Sequence, residues 1–579
     1  MRPTRLPHTP LRSLSRALQR LLLLVLLLAG GCSPALSTQV SDQVQKLFPS
    51  IIEPTRTPFQ PVAPTPTKTV TPTLTPEPVR EMLVWLDPAL PSRLREQMQL
   101  PKGARAVQEP ETANLQIGAL RGEAHSTWVY ALVAPFPTLV DEVSLDEIQR
   151  AWRGEPGEVF NARLMLDEST RAAFAARWGL PGEGRLEVLP ADQLLDEAWA
   201  DRPAWAIIPF EEIEPRWKVL RVGGLSPLQK DLNLDDYPLT VWFGVSGNPE
   251  AMNLLAAQMD ASASLLPSGN RDPNRMTVLV MTGVTALTRA TGYKMDTNGT
   301  TYPGQDIQDW LRSADLTHIS NEVSFNTECP KANYFDTSTM FCSRPEYIEL
   351  LDFIGTDIVE LTGNHNNDWG RTASSYSLDL YRERGWTIFG GGATLEEARQ
   401  PAKIENNGNR LAFIGCNPVG PGGAWATGDS PGAAPCGDYA WLLDEVRNLR
   451  DEGYLPVVTF QYFETYVTRP SDRQISDFRA AAEAGAVIIS GSQAHFPQDM
   501  EFYNDTFIHF GLGNLFFDQM DVPVQGTRRE FVDRHVFYEG RHIQAELLTA
   551  LLEDYARPRP MTAEEREAFL AEIFSSAGW

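Results

Sequence analysis

Leu361-Thr362-Gly363-Asn364-His365-Asn366-Asn367-Asp368 decides how this chain is read. A strand-like run, residues 358–361, breaks off into a stretch of amides, one imidazole and one carboxylate. Residues 374–384 then show a helical pattern. Polar residues just past the C-terminal end of a buried strand converge on one rim of an α/β sheet. The same transition recurs. Residues 316–319 run into Ser320-Asn321-Glu322, and residues 457–462 run through Gln461-Tyr462-Phe463 to Glu464. Residues 487–490 run into Gly491-Ser492-Gln493-Ala494-His495, and residues 507–510 into Gly511-Leu512-Gly513-Asn514. Helical patterns at 345–353, 440–453 and 476–484 alternate with these runs, as β-α units around a sheet require. A further apolar run, 277–282, precedes them all.

Outward from this core, the 579 residues are too many for one hydrophobic centre, so two or more domains are expected. The formal net charge of −25 opposes nonspecific contact with nucleic acid, a polyanion. The first twenty residues carry Arg2, Arg5, Arg12, Arg16 and Arg20 and no acid. Residues 21–28 are wholly apolar, too few for a permanent membrane span but the right length for a signal peptide. The run closes on Ala29-Gly30-Gly31-Cys32, which resembles the lipobox of bacterial lipoproteins. That resemblance implies cleavage before Cys32, lipidation of Cys32 and an extracytoplasmic protein anchored to the membrane. The alternative is an ordinary signal peptide with an incidental cysteine. Residues 33–80, dense in Pro and Thr, read as an extended linker. Once Cys32 is set aside, Cys329, Cys342, Cys416 and Cys436 form two locally spaced pairs. In an oxidising compartment they read as disulfides, and their spacing is not that of a zinc site.

Residues 81–270 read as a first α/β domain. Strands are expected at 82–85, 128–134, 205–209 and 217–222, and Ser144 with Glu147 is expected to cap a helix. The stretch 130–154, with 206–210 and Tyr237-Pro238-Leu239, resembles type 2 periplasmic binding proteins, phosphate binders among them. An anion-cradling Ser/Thr/Gly loop belongs after the first strand in that family. This chain has Asp87-Pro88-Ala89-Leu90-Pro91-Ser92 there. The competing expectation is a domain that binds nothing small.

Residues 275–550 read as the second domain, and 551–579 as a helical tail opened by Thr562 and Glu565. In order and spacing the strand-end segments resemble the CapA family, linked to poly-γ-glutamate capsule synthesis. That resemblance implies a four-layer αββα fold akin to metallophosphatases. The expected architecture is therefore α/β throughout, a periplasmic-binding-protein-like domain followed by a metallophosphatase-like one. Gly283 and Arg289 match the family, but Val284 stands where it has Asp. Asn321-Glu322 and the segment 363–370 match its next elements. Gln461-Tyr462-Phe463-Glu464 replaces a segment that begins with His, and Gln493-Ala494-His495 keeps one His of two.

A two-metal phosphoesterase needs carboxylates and imidazoles around ions roughly 3.5–4 Å apart. Val284 supplies no ligand, and Gln461 and Gln493 offer neutral amides. Glu322, His365 and His495 are left to hold one divalent ion, Mn, Zn or Mg. Asn364, His365 and His495 are the expected catalytic set. Arg289, Gln461, Glu464 and Gln493 are expected to meet substrate. Each survivor also has a structural reading. His365 could order the 363–370 loop, His495 could cap a strand end, and Asp368 could cap the helix that begins near Thr372. Asn514 and Asp518 are expected to shape the last loop, and the glycine-rich segment 420–432 to be a mobile loop beside the site.

Two functions follow. One is a lipid-anchored envelope protein of capsule or polyglutamate synthesis or export, with a depleted metal-dependent hydrolase site acting on an anionic envelope polymer. The other is a non-catalytic lipoprotein that binds a small anion or a polymer end and uses the second domain as a pseudo-enzyme scaffold.

Overall fold

The computed structural model describes residues 81–579 apart from 120–125, 156, 158–162, 185 and 259–264. The signal segment, Cys32 and the Pro/Thr linker lie outside the described residues. Among the described residues no helix is long and apolar enough to cross a membrane.

The first lobe is built on one mixed sheet. Its strand order is Ala104–Val107, Met82–Leu86, Leu115–Ala119, Thr240–Gly247, Ser126–Pro135, Ala204–Pro209, Arg163–Leu166, Leu186–Val188. Ser126–Pro135 ties it together. Nine of its ten residues are buried, because neighbours cover both its faces. Its first half pairs with Thr240–Gly247, and its second half with Ala204–Pro209 and Trp217–Val219. The Ser144 hydroxyl accepts the Glu147 N–H at 3.2 Å and starts helix Leu145–Trp152, as its sequence spacing predicts.

The second lobe has two sheets face to face. The first runs Thr387–Phe389, Ile358–Glu360, Leu316–Asn321, Met276–Thr282, Arg529–Tyr538, Arg541–Glu553, Arg557–Pro560. The second runs Ala402–Asn406, Asn409–Cys416, Leu455–Gln461, Ile488–Ser492, Thr506–His509, Met500–Tyr503. Strand alternation explains the four layers. Leu279, Met281, Val457, Ile488 and Phe507 fill the core between the sheets. Their neighbours point the other way. Val280 meets helix Ile348–Ile354, while Val458, Ile489 and Ile508 meet helices Ala440–Asp451 and Asp472–Glu483. Apolar on both faces, these strands read as unbroken hydrophobic runs. The α/β architecture and the αββα layering of the second lobe are as the sequence led one to expect.

The tail is a correction. Strand Arg541–Glu553 runs straight through the expected boundary at 550, and Arg557–Pro560 adds another strand to the same sheet. Helix Ala563–Ser576 does begin with the Thr562–Glu565 capping box. It buries Phe569, Leu570, Ile573 and Phe574 in the same core as Phe136 of the first lobe. The Phe136 ring lies 5.1 Å from that of Phe502 and 5.7 Å from that of Trp579. Arg80–Trp579 is accordingly one compact unit. Both cysteine pairs, Cys329–Cys342 and Cys416–Cys436, are bonded.

Candidate functional site

The strand-end segments meet at one rim of the second lobe, with the Gln461 side chain at their centre. Its Nε2 donates to Asn364 Oδ1 at 3.0 Å, to Glu322 Oε2 at 3.3 Å and to the Gln493 amide oxygen. Its Oε1 accepts from Ser492 Oγ at 2.5 Å, and Ser492 in turn meets Ser320 Oγ at 3.4 Å. Glu322 is 1% exposed, and its second oxygen, Oε1, is buried with no protein partner. An unpaired oxygen on a buried carboxylate is costly, which marks Glu322 as a group held ready for a ligand.

The loop 363–370 divides its labour. Asn366 turns inward, donating to the carbonyls of Leu361 at 2.9 Å and Gly363 at 3.1 Å. Asn367 reaches the carbonyl of Gly423 at 3.0 Å, and Arg371 that of Trp425 at 2.7 Å, so the glycine-rich segment is tied to this loop. Asn364 and His365 are the half-buried residues that face the site. His365 Nδ1 lies 2.6 Å from Asp368 Oδ2, which also accepts the Phe341 N–H at 2.8 Å. Asp368 therefore does not cap the following helix, whose N-cap is Gly370. Burial pulls the His365 imidazole down. The Asp368 hydrogen bond and the charges of Glu322, Asp368 and Glu464 outweigh it, and its pKa lies above the ordinary histidine value.

His495 is almost fully buried and pairs through Nδ1 with Asn514 Oδ1 at 2.8 Å. Gln493 and His495 have φ of 79° and 53°, and Arg289 has φ of 46°. Left-handed backbone at residues other than Gly, Asn or Asp costs on the order of 1–3 kcal/mol each and clusters at functional sites. The Arg289 side chain is committed to Asp518, with Nε 3.1 Å from Oδ2, and lies over the rings of Phe341 and Phe517. It braces the wall of the site, where it was expected to meet substrate. Glu464 is exposed at the rim and accepts from the Tyr466 hydroxyl.

The donor set does not fit a metal ion. Among the described residues no three His, Cys, Asp or Glu side chains gather as a ligand group. Val284, where a carboxylate is needed, is fully buried and paired in the sheet with Ser320 and Asn514. His365 Nδ1 bonds Asp368, His495 Nδ1 bonds Asn514, and Glu322 Oε2 accepts an amide N–H from Gln461. Glu322, His365 and His495, expected to hold one divalent ion, are not found as one such group. An amide network has taken its place. Two contributors escaped the sequence reading. Phe341, carried beside Cys342, lays its ring 4.3 Å from that of His365, and Phe517 lies 5.2 Å from His495. Nothing in the local pattern of either residue signals this, although the Cys329–Cys342 pairing does place Phe341 on a tethered loop.

Residues 278–519 match the family model described as Bacterial capsule synthesis protein PGA_cap. The chain is 26% identical over 281 residues to the capsule biosynthesis protein CapA of Bacillus anthracis, covering 46% of this chain and 66% of that protein. It is 26% identical over 218 residues to the PGA biosynthesis protein CapA of Bacillus subtilis (strain 168), covering 37% and 56%. The match therefore spans less than two thirds of either relative. Among solved structures, a putative 5'-nucleotidase from Staphylococcus aureus is 13% identical, with 51% of this chain and 58% of that one covered and a TM-score of 0.29. An ABC-type phosphate transport receptor from Vibrio cholerae is 12% identical, with 26% and 76% covered and a TM-score of 0.23.

Proposed function

From the CapA-family domain that the C-terminal half of this chain carries, we propose a role in capsule or poly-γ-glutamate synthesis or export. In this reading the protein is held outside the cytoplasm by a lipid on Cys32, with residues 33–80 as its tether. Its task is to hold an anionic envelope polymer rather than to cleave it through a metal ion.

The observation that carries this reading is the amide network around Gln461. Amides donate and accept in fixed directions and pair well with a polyamide chain. Asn364, half-buried at the rim, supplies the pairing amide, and the buried Gln461 and Gln493 hold it in place. His365, its pKa raised against burial by Asp368 and the acids around it, faces the carboxylates of the polymer. Glu322 orients Gln461, and Glu464 stands at the entrance. The test is calorimetric titration of the full chain with γ-linked glutamate oligomers, then with Mn²⁺, Zn²⁺ and Mg²⁺. Oligomer binding that weakens at least about tenfold in Gln461→Leu, with no metal-dependent heat, supports it. Metal binding lost in His365→Ala favours the hydrolase reading and sinks this one.

A further inference from the structure

A cavity of about 290 Å³ backs onto the Gln461 site and is walled largely by the loop that Cys329–Cys342 closes. Arg289 and Asp368, which brace the wall of that site, line the cavity together with Thr288, Lys331, Asn333 and Trp369. Pockets for small ligands begin at roughly this size, about 300 Å³. The disulfide and the bond from the Phe341 N–H to Asp368 at 2.8 Å hold the loop in place, so a ligand would spend little on ordering it.

The charges in the cavity wall are answered within the protein. Arg289 pairs with Asp518, Arg344 with Asp296 at 2.8 Å and with Glu346, and Asp368 with His365. Lys331 and Asp336 remain, one charge of each sign. A wall balanced in this way favours a neutral ligand over an ion. Its hydrogen-bonding groups, by contrast, are not spent. Thr288 is 8% exposed and stands at the N-cap of helix Arg289–Asn298, yet its hydroxyl makes no cap bond. A nearly buried hydroxyl without a partner is unfavourable until something in the cavity answers it. Asn333 uses only its Oδ1, on the Phe335 N–H at 3.1 Å, and Asp336 only its Oδ1, on the Ser338 N–H at 2.8 Å. Asn333 Nδ2 and Asp336 Oδ2 are left over. Met340 and Trp369, 59% and 39% exposed, belong to the same wall, and large apolar side chains exposed together mark a binding surface.

We propose that this cavity binds one ring of a neutral oligosaccharide. A pyranose carries hydroxyls that both donate and accept, no net charge, and a C–H face that suits an aromatic ring. The hydroxyls meet Thr288, Asn333 and Asp336, and the ring lies on Trp369. Such a sugar sits beside the Gln461 site, across Arg289 and Asp368 from it, and gives the chain a second class of ligand independent of what the Gln461 site holds.

The test is calorimetric titration of the full chain with three neutral tetrasaccharides, cellotetraose, maltotetraose and the β-1,4-linked tetramer of N-acetylglucosamine. Phenyl phosphate serves as a charged aromatic control. At least one sugar should bind, and phenyl phosphate should not. Trp369→Ala and Asn333→Ala, both at exposed positions that the fold tolerates, should each weaken the sugar at least about tenfold. Gln461→Leu should leave its binding intact. No heat with any of the three sugars, an equal response to phenyl phosphate, binding that survives either exposed-site variant, or its loss in Gln461→Leu overturns the proposal.

Discussion

A methyl group on Gly363 would sit 2.5 Å from the Cα of Glu322. The loop that carries Asn364 and His365 therefore rests directly on the backbone of the strand end that carries Glu322. This close approach sets the distance across the site. Gly363→Ala should push the two segments apart and cost about 1–3 kcal/mol, as overpacking does. Urea unfolding reads the loss, and an unchanged midpoint would show that the contact is slack.

Gln461 joins three segments that are far apart in sequence. Gln461→Leu removes the N–H donor to Glu322 and leaves a buried carboxylate with less support. The expected cost is about 1–3 kcal/mol of stability. In Glu322→Gln/Gln461→Leu the charge is gone, and much of that loss should be recovered. A double variant less stable than Gln461→Leu alone would contradict this account.

His365 owes its raised pKa to Asp368 and to the acids around it. A histidine with a raised folded pKa contributes stability that is fully present below the unfolded value. That contribution is lost as pH rises through the folded value. Asp368→Asn should bring the imidazole pKa down in an NMR titration and shrink the fall in stability from slightly acid to alkaline pH. An imidazole that titrates at the same pH in Asp368→Asn would rule out Asp368 as the cause.

Asp499 behaves in the opposite sense to a paired carboxylate. Burial pushes its pKa up to about 6, although Ser576 Oγ donates to it at 2.8 Å. Its folded pKa lies above the unfolded value, so stability is lost as pH rises from about 4 to about 6. Asp499→Asn should gain on the wild type across that window. Melting temperatures of both proteins at pH 4.5 and pH 7.5 measure it, and a difference that does not change with pH would refute the assignment.

Reduction probes the wall of the site. The Cys329–Cys342 bond closes a loop with a sequence separation of 13 residues. In Cys329→Ser/Cys342→Ser a loss of about 2–4 kcal/mol is expected. Phe341 should then leave the His365 ring, which NMR reads as a loss of ring-current shift on the imidazole protons. An unshifted imidazole would mean that other contacts hold Phe341.

By itself the sequence determined the strands and the rim they share. Runs such as 277–282 and 457–460 are apolar because both their faces are covered, and the second ends at Gln461 itself. Local chemistry likewise determined the Ser144 and Thr562 helix starts, since a cap lies within three residues of its partner. Only the tertiary structure decided what joins across distance. Asp368 could serve a helix or an imidazole, and the choice fell to Phe341 and His365 once the disulfide loop packed over them. Arg289 meets Asp518, 229 residues away, and packs over Phe341 and Phe517. The pairing of Arg566 with Asp141 spans 425 residues. No local pattern encodes such pairs, because their energy exists only after the chain has brought them together.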